Sequence, residues 1–140
     1  MVFAVRRILA GDEKAFASIA PDVFDEPVDP ARLHRYLRQS SHMIVLAFEG
    51  ELVIGQCAAA MHYHPDKPVE LYIDEVGTAS THRRQGVARA MLDEMFRWGR
   101  EQGCEEAWLG TELDNVEANG LYRGYRPIED EAIQYYLFTL

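Results

Sequence analysis

The chain has 140 residues, 48% apolar and 26% charged, enough for one globular domain with a hydrophobic core but not for two ordinary ones, and its composition excludes the disordered and fibrous classes. Fourteen basic against twenty-three acidic side chains leave a formal charge of −9, a field that attracts small cations and argues against nucleic acid or membrane as a partner. Two cysteines are too few for a disulfide framework; with no signal-peptide pattern over residues 1–10 and no apolar run near the ~20 residues of a membrane span, the cytoplasm is the expected location.

Residues 2–9 read as a first strand, and Gly11-Asp12 opens a helix that runs to about residue 20, where Pro21 stops it. Residues 22–30 are a loop whose acids, Asp22, Asp25, Glu26 and Asp29, are either a solvated surface or a means of recruiting a polycation. Asp29 then caps a helix with Pro30 at its first position, continuing through Leu33, Tyr36 and Leu37 to about residue 39. Runs 43–48 and 51–61 are β-rich and joined by Glu49-Gly50, a hairpin signal. Cys57, beside Ala58-Ala59-Ala60, reads as a small core filler rather than a nucleophile. His62 and His64 share one face at the end of that strand, which suggests a metal pair. No third ligand of suitable spacing accompanies them, so pocket lining or plain surface is preferred and no metal is expected.

After a turn-rich link, residues 69–79 alternate Val69, Leu71 and Ile73 against Glu70, Tyr72 and Asp74, a strand. From 85 to 102 the apolar set Val87, Ala88, Met91, Leu92, Met95, Phe96 and Gly99 recurs at three- and four-residue steps, the core stripe of a long helix. A strand over 105–110, a short helix over 115–122 and a final strand over 132–139 complete the chain. Trp98 and Trp108 suit the core or an interface, and the aromatic run 135–138 suits equally a homodimer contact or a core strand. The helix between the 69–79 and 105–110 strands implies a right-handed crossover and a parallel pair; the hairpin before it makes the sheet mixed.

The strand-to-helix junction His82-Arg83-Arg84-Gln85-Gly86-Val87-Ala88 has the chemistry of a phosphate cradle. Gly86 lets backbone approach a ligand with no Cβ in the way, the next helix turn offers unpaired N–H groups and a positive dipole end, and Arg83 and Arg84 add forked cationic donors. A Gly-Lys-Ser/Thr ending and a Gly-x-Gly-x-x-Gly run are both lacking, which argues against a nucleotide-binding protein.

Arg83-Arg84-Gln85-Gly86-Val87-Ala88 meets the Arg/Gln-x-x-Gly-x-Gly/Ala pattern, and Asn115-Val116-Glu117-Ala118-Asn119-Gly120-Leu121-Tyr122 meets Asn-x-x-Ala-x-x-Leu-Tyr. In these motifs and in element order the chain resembles the GNAT superfamily of acetyl-CoA-dependent N-acetyltransferases. The stretch from about Leu37 to Ala88, with its hairpin over 44–55, the run Glu70-Leu71-Tyr72-Ile73 and the ending His82-Arg83-Arg84-Gln85-Gly86-Val87-Ala88, is most similar to the GNAT-type aminoglycoside 3-N-acetyltransferases. One departure is that only Arg123 separates Tyr122 from Gly124-Tyr125, where relatives place three residues; the helix end is expected to be about half a turn shorter.

The resemblance implies a single α/β (α+β) domain over 1–140, with a mixed, mostly antiparallel sheet of six to seven strands, a central splayed parallel pair and about four helices. It implies acetyl transfer from acetyl-CoA to a primary amine by direct attack, without a metal. Backbone at Val76 and Thr78 would hold pantetheine, the Val76 N–H would also receive the thioester oxygen, and amides from Arg84 through Ala88, aided by Arg83, would hold the pyrophosphate. Glu75 is the implied base, directly or through a water, and Glu70, Tyr72 and Asp74 are its rivals and share the acceptor pocket. Successive strand residues face opposite sides, so Asp74 and Glu75 both reach the cleft only if a bulge intervenes. Tyr122 is the implied acid for the CoA thiolate, and Asn115 either contacts the cofactor or caps its own helix. An aminoglycoside-like polycation is the leading acceptor; a polyamine, an amino acid or metabolite, or a protein amine are alternatives, as is a non-catalytic acyl-CoA sensor.

Overall fold

The computed structural model describes Met1–Leu140, and the chain divides into two compact units, residues 1–109 and 110–140. The first unit is built on one five-stranded sheet in the order β1-β2-β3-β4-β5: β1 Ala4–Ile8, β2 His42–Glu49, β3 Leu52–His62, β4 Glu70–Thr78 and β5 Glu106–Trp108. Pairing is antiparallel from β1 to β4 and parallel between β4 and β5. The mixed sheet is as expected, with fewer strands, and its parallel pair lies at an edge rather than at the centre. The α-helices number three rather than the expected four or so, because the stretch after Gly11 does not form one: α1 Pro30–Leu37, α2 Val87–Glu101 and α3 Val116–Arg123.

β2 and β3 form the middle of the core because they are covered on both faces: Val45, Leu46, Ala47, Val53, Ile54, Cys57 and Ala59 are inaccessible to solvent. The stripe of α2 accounts for one covering layer, with Val87, Met91, Leu92, Met95 and Trp98 buried. Two glycines let this helix lie close to the sheet: a Cβ on Gly55 would stand 2.9 Å from Met91 Cε, and one on Gly99 would stand 2.8 Å from Leu71 Cδ2. Arg7 fastens edge strand β1 to the same helix, donating to Glu94 at 2.7 Å and to both oxygens of Glu101 at 2.8 and 2.6 Å. The other face is covered by the segment that precedes α1, and α1 itself is capped by Asp29, whose carboxylate accepts the Arg32 N–H at 2.9 Å.

Three expectations are corrected here. The helix anticipated over 12–20 is only a 3-10 turn, Glu13–Phe16. The chain after it is drawn to β3 instead: Ser18 O accepts the Val53 N–H at 2.8 Å, the Ala20 N–H donates to Val53 O at 2.9 Å, and Ile19 bridges Val53 in parallel. Hydrogen bonds to a buried strand replace those that a marginal helix would have made. The strand over 105–110 is cut to three residues, and the final strand over 132–139 does not form. That segment makes no ladder, and β propensity without a ladder does not hold a strand. Its Tyr135, Tyr136, Leu137 and Phe138 are exposed.

In the second unit, Asn115 Oδ1 accepts the Ala118 N–H at 3.1 Å to cap α3, and Asn119 Nδ2 donates to the carbonyl oxygens of Asn115 and Glu112. Gly124 is the C-cap of α3, and Arg123 pairs with Asp130 at 2.8 Å.

Candidate active site

The chemistry-bearing groups of the first unit gather around an irregularity in β4. Ala58 pairs with Glu75 but Ala59 pairs with Ile73, so Asp74 is an extra residue, a β-bulge. The bulge breaks the alternation: Leu71 and Ile73 are buried, whereas Asp74 and Glu75 are consecutive and both exposed. This is the condition under which both carboxylates serve one site. Gln56 pairs with Gly77 on the same ladder, and alternation from Gly55, which faces α2, puts Gln56 and Glu75 on the face opposite that helix.

A second segment brings a third carboxylate to that face. Val23 is buried, and its carbonyl accepts from Gln56 Nε2 at 3.3 Å. A Cβ on Gly77 would lie 2.3 Å from the same Val23 oxygen, so only glycine lets the loop press this tightly on β4. Asp22 takes the strained φ of 70° just before the contact. Two residues beyond Val23, Asp25 comes within hydrogen-bonding reach of Glu75. Partial desolvation of the carboxyl on this crowded face, then the charge of Asp74 and the Asp25 carboxyl, push Glu75 above the usual range although the residue keeps contact with solvent. Asp74 is likewise raised, mainly by partial desolvation, with a hydrogen bond from its own backbone and then the nearby His42 pulling the other way. Tyr36 of α1 completes the surroundings. Its hydroxyl donates to Met43 O at 3.3 Å, its ring meets His42 edge-on at 5.5 Å, and burial together with Asp74, Cys57 and Glu75 keeps the phenol protonated. Cys57 is inert, its thiol pushed up to about 12 by burial and by Asp74.

Glu70 and Tyr72 are drawn elsewhere. The Glu70 carboxylate is 2.5 Å from His64 Nε2, and the Tyr72 ring stacks on Trp108 with centroids 4.2 Å apart. β5 pairs only with residues 70–72 of β4, so from Ile73 to Thr78, a stretch that includes Val76, β4 is laddered on its β3 side alone. The other edge of that stretch has no ladder partner, the backbone arrangement with which an extended ligand can pair.

At the far end of β4 the chain makes a 3-10 turn, Ser80–His82, then an extended Arg83, then Arg84 at φ 61° and Gly86 at φ 83°. The turn is fixed at both ends: the Ala79 N–H donates to Ile54 O at 2.8 Å, and the His82 ring lies 2.7 Å from Thr81 Oγ1 and 3.1 Å from Glu49 Oε1. Gly86 is the N-cap of α2 and supplies no side-chain acceptor to the first-turn amides, those of Val87 and Ala88 among them. Nothing stands within 4 Å of where a Gly86 Cβ would be, and Arg83, Arg84 and Gln85 are exposed. Backbone donors without a cap, a positive dipole end and clear space at Gly86 suit a phosphate group.

A model of the Acetyltransferase (GNAT) family matches residues 9–125. The chain belongs to that family. Over 69 residues this GNAT protein is 29% identical to an aminoglycoside N(6′)-acetyltransferase type 1 of Serratia marcescens, a match covering 49% of this chain and 47% of that one, about half of the relative's length. Over 121 residues it is 26% identical to N-alpha-acetyltransferase 30 of Saccharomyces cerevisiae, covering 81% of this chain and 69% of that one. In fold it matches an aminoglycoside acetyltransferase from an uncultured soil metagenomic sample, crystallised with trehalose, at a TM-score of 0.82 and 19% identity over 99% of this chain and 96% of that one. The same relative's complex with sisomicin gives 0.81.

Of the residues anticipated from sequence, Asp74, Glu75, Val76 and Thr78 share one stretch of β4, and Arg83 through Ala88 form the turn into α2. Tyr122 is half-buried on α3 of the second unit, where Asn115 is the N-cap. Sequence reasoning did not single out Gln56, Gly77 or Tyr36. A lone glycine inside a strand was the one available signal, since it marks a close backbone approach.

Proposed function

We propose that this GNAT protein transfers the acetyl group of acetyl-CoA to a primary amine of a small polycation, with an aminoglycoside as the leading acceptor class. The observation carrying this reading is the trio Asp25, Asp74 and Glu75, in which desolvation first and the two neighbouring carboxyls second hold the Glu75 carboxyl above its ordinary range. Such a cluster is relieved by cations, so a substrate bearing several ammonium groups gains from it.

In this reading pantetheine extends along the open edge of β4 at Val76 and Thr78, and its pyrophosphate lies on the amides from Arg84 through Ala88 beside Arg83. Glu75 takes a proton from the acceptor ammonium, directly or through a water. The amine lone pair attacks the thioester carbon, and a C–N bond forms while negative charge on the oxygen is met by the Val76 N–H. The C–S bond then breaks, the thiolate takes the phenol proton of Tyr122, and the acylated nitrogen sheds its second proton through solvent, which leaves a neutral amide and restores the tyrosine. Asn115 acts as the cap of α3, with cofactor contact as its further proposed role. The raised pKa of Glu75 helps, because an ordinary carboxylate is too weak a base for an ammonium.

Resemblance in the 37–88 region favours the 3-amine as the acetylated position, whereas the Serratia relative is named for the 6′-amine. Release of CoA thiol in the presence of aminoglycosides, polyamines and free-amine peptides tests the acceptor class, and NMR of the product assigns the nitrogen. Turnover with an aminoglycoside supports the reading. Silence toward all of them, with turnover on a peptide amine, would favour the second reading suggested by the yeast N-alpha-acetyltransferase match. CoA binding without turnover on any amine would leave an acyl-CoA sensor. Tyr122→Phe is expected to lower kcat with little change in acetyl-CoA affinity.

A further inference from the structure

At the opposite end of β4 from the phosphate turn, the fold supplies the ligand that spacing alone did not offer to the histidine pair. Antiparallel pairing puts Glu70 directly across from His62, and the connector between β3 and β4 returns His64 to the same place. The His62 and His64 rings lie 4.3 Å apart, His64 Nε2 is 2.5 Å from Glu70 Oε1, and the three potential ligand atoms are all within 4.8 Å of one another. His64 and Glu70 are largely sheltered, their side chains 17% and 21% exposed, while His62 is exposed and closes the set from the solvent side.

We infer that His62, His64 and Glu70 form a binding site for a divalent transition-metal ion of the zinc type. Two imidazole nitrogens and one carboxylate oxygen are a recognised Zn2+ donor set, which leaves a fourth tetrahedral position to water. Ligand atoms about 2.0–2.1 Å from a zinc ion sit about 3.3 Å from each other in a tetrahedron, so the set must contract around the ion. The exposed His62 side chain supplies that movement, because the backbones bearing His62 and Glu70 are already locked by the ladder. Calcium and magnesium do not fit as well, since both prefer sites made of oxygen ligands. The site stands apart from the acetyl-transfer reading and does not depend on it.

Zn2+ titrated into the metal-stripped protein against a chromophoric zinc indicator is expected to bind at one equivalent per chain. Each of His62→Ala, His64→Ala and Glu70→Gln should weaken that binding by at least about tenfold, whereas His34→Ala, on exposed α1, should not. In the unmutated protein, histidine ring NMR signals give a check independent of variant folding: of the five histidines, His62 and His64 should shift with one equivalent of Zn2+. Failure to take up Zn2+, uptake unchanged by any one of the three ligand substitutions, or shifts confined to other histidines would overturn the site.

Discussion

Glu75 shows how a single residue's chemistry depends on neighbours distant in sequence. Its carboxyl is raised by burial, by Asp74 next to it and by Asp25 fifty positions earlier in the chain. Asp25→Asn removes one of the repelling charges, so the Glu75 pKa should fall and the acidic limb of the kcat/KM profile should move to lower pH. The same substitution bears on stability. A carboxyl whose folded pKa lies above its unfolded value makes the folded state lose stability as pH rises from the unfolded toward the folded pKa. Asp25→Asn should therefore raise Tm at neutral pH, and the gain should shrink below the ordinary carboxylate range of about 4, which thermal unfolding at the two pH values checks. At this scale the sequence was legible in part. Glu75, Asp74 and the acidity of the 22–29 loop were all visible, and so was the need for a bulge. That Asp25 is the loop acid reaching Glu75 was not, because the choice rests on where Gln56 and Gly77 hold Val23.

Those two residues set the next scale, where a loop and a strand are fixed against each other. Gly77→Ala puts a methyl 2.3 Å from a backbone oxygen that cannot rotate away, so the loop must move and carry Asp25 with it. The expected cost is about 1–3 kcal/mol of stability, with the acceptor KM rising roughly tenfold and acetyl-CoA affinity unchanged; denaturant unfolding and steady-state kinetics measure both. The turn into α2, the proposed pyrophosphate site, is separable from that loop. Gly86→Glu forces a side chain onto φ 83° and sets a carboxylate at the proposed pyrophosphate position, so CoA binding should be lost in calorimetry while acceptor binding remains. Elements with strong periodicity were readable from sequence: the core stripe of α2 and the apolar runs of β2 and β3 stand where expected. Segments decided by tertiary hydrogen bonds were not. The stretch around Ser18–Ala20 abandons helix for Val53, and the aromatic run at 135–138 has no strand to join despite its composition.

Across the whole molecule, acidic side chains outnumber basic ones by twenty-three to fourteen. Under the proposed reading, a formal charge of −9 favours the approach of a polycationic acceptor to the acidic cluster, an attraction that salt screens over about 10 Å at 0.1 M. The KM of a polycationic acceptor should rise as ionic strength increases, whereas that of a monoamine should change little. The charge was fully legible in the sequence; its concentration at the bulge of β4 required the fold. The measurement that tests the acetyltransferase reading most directly is CoA thiol release when the protein meets acetyl-CoA and an aminoglycoside such as sisomicin, compared with Glu75→Gln. The account predicts steady release with an acceptor one acetyl group heavier, and a rate about 10²–10⁴-fold lower in the variant. No release by the unmutated protein, or an unchanged rate in Glu75→Gln, would contradict it.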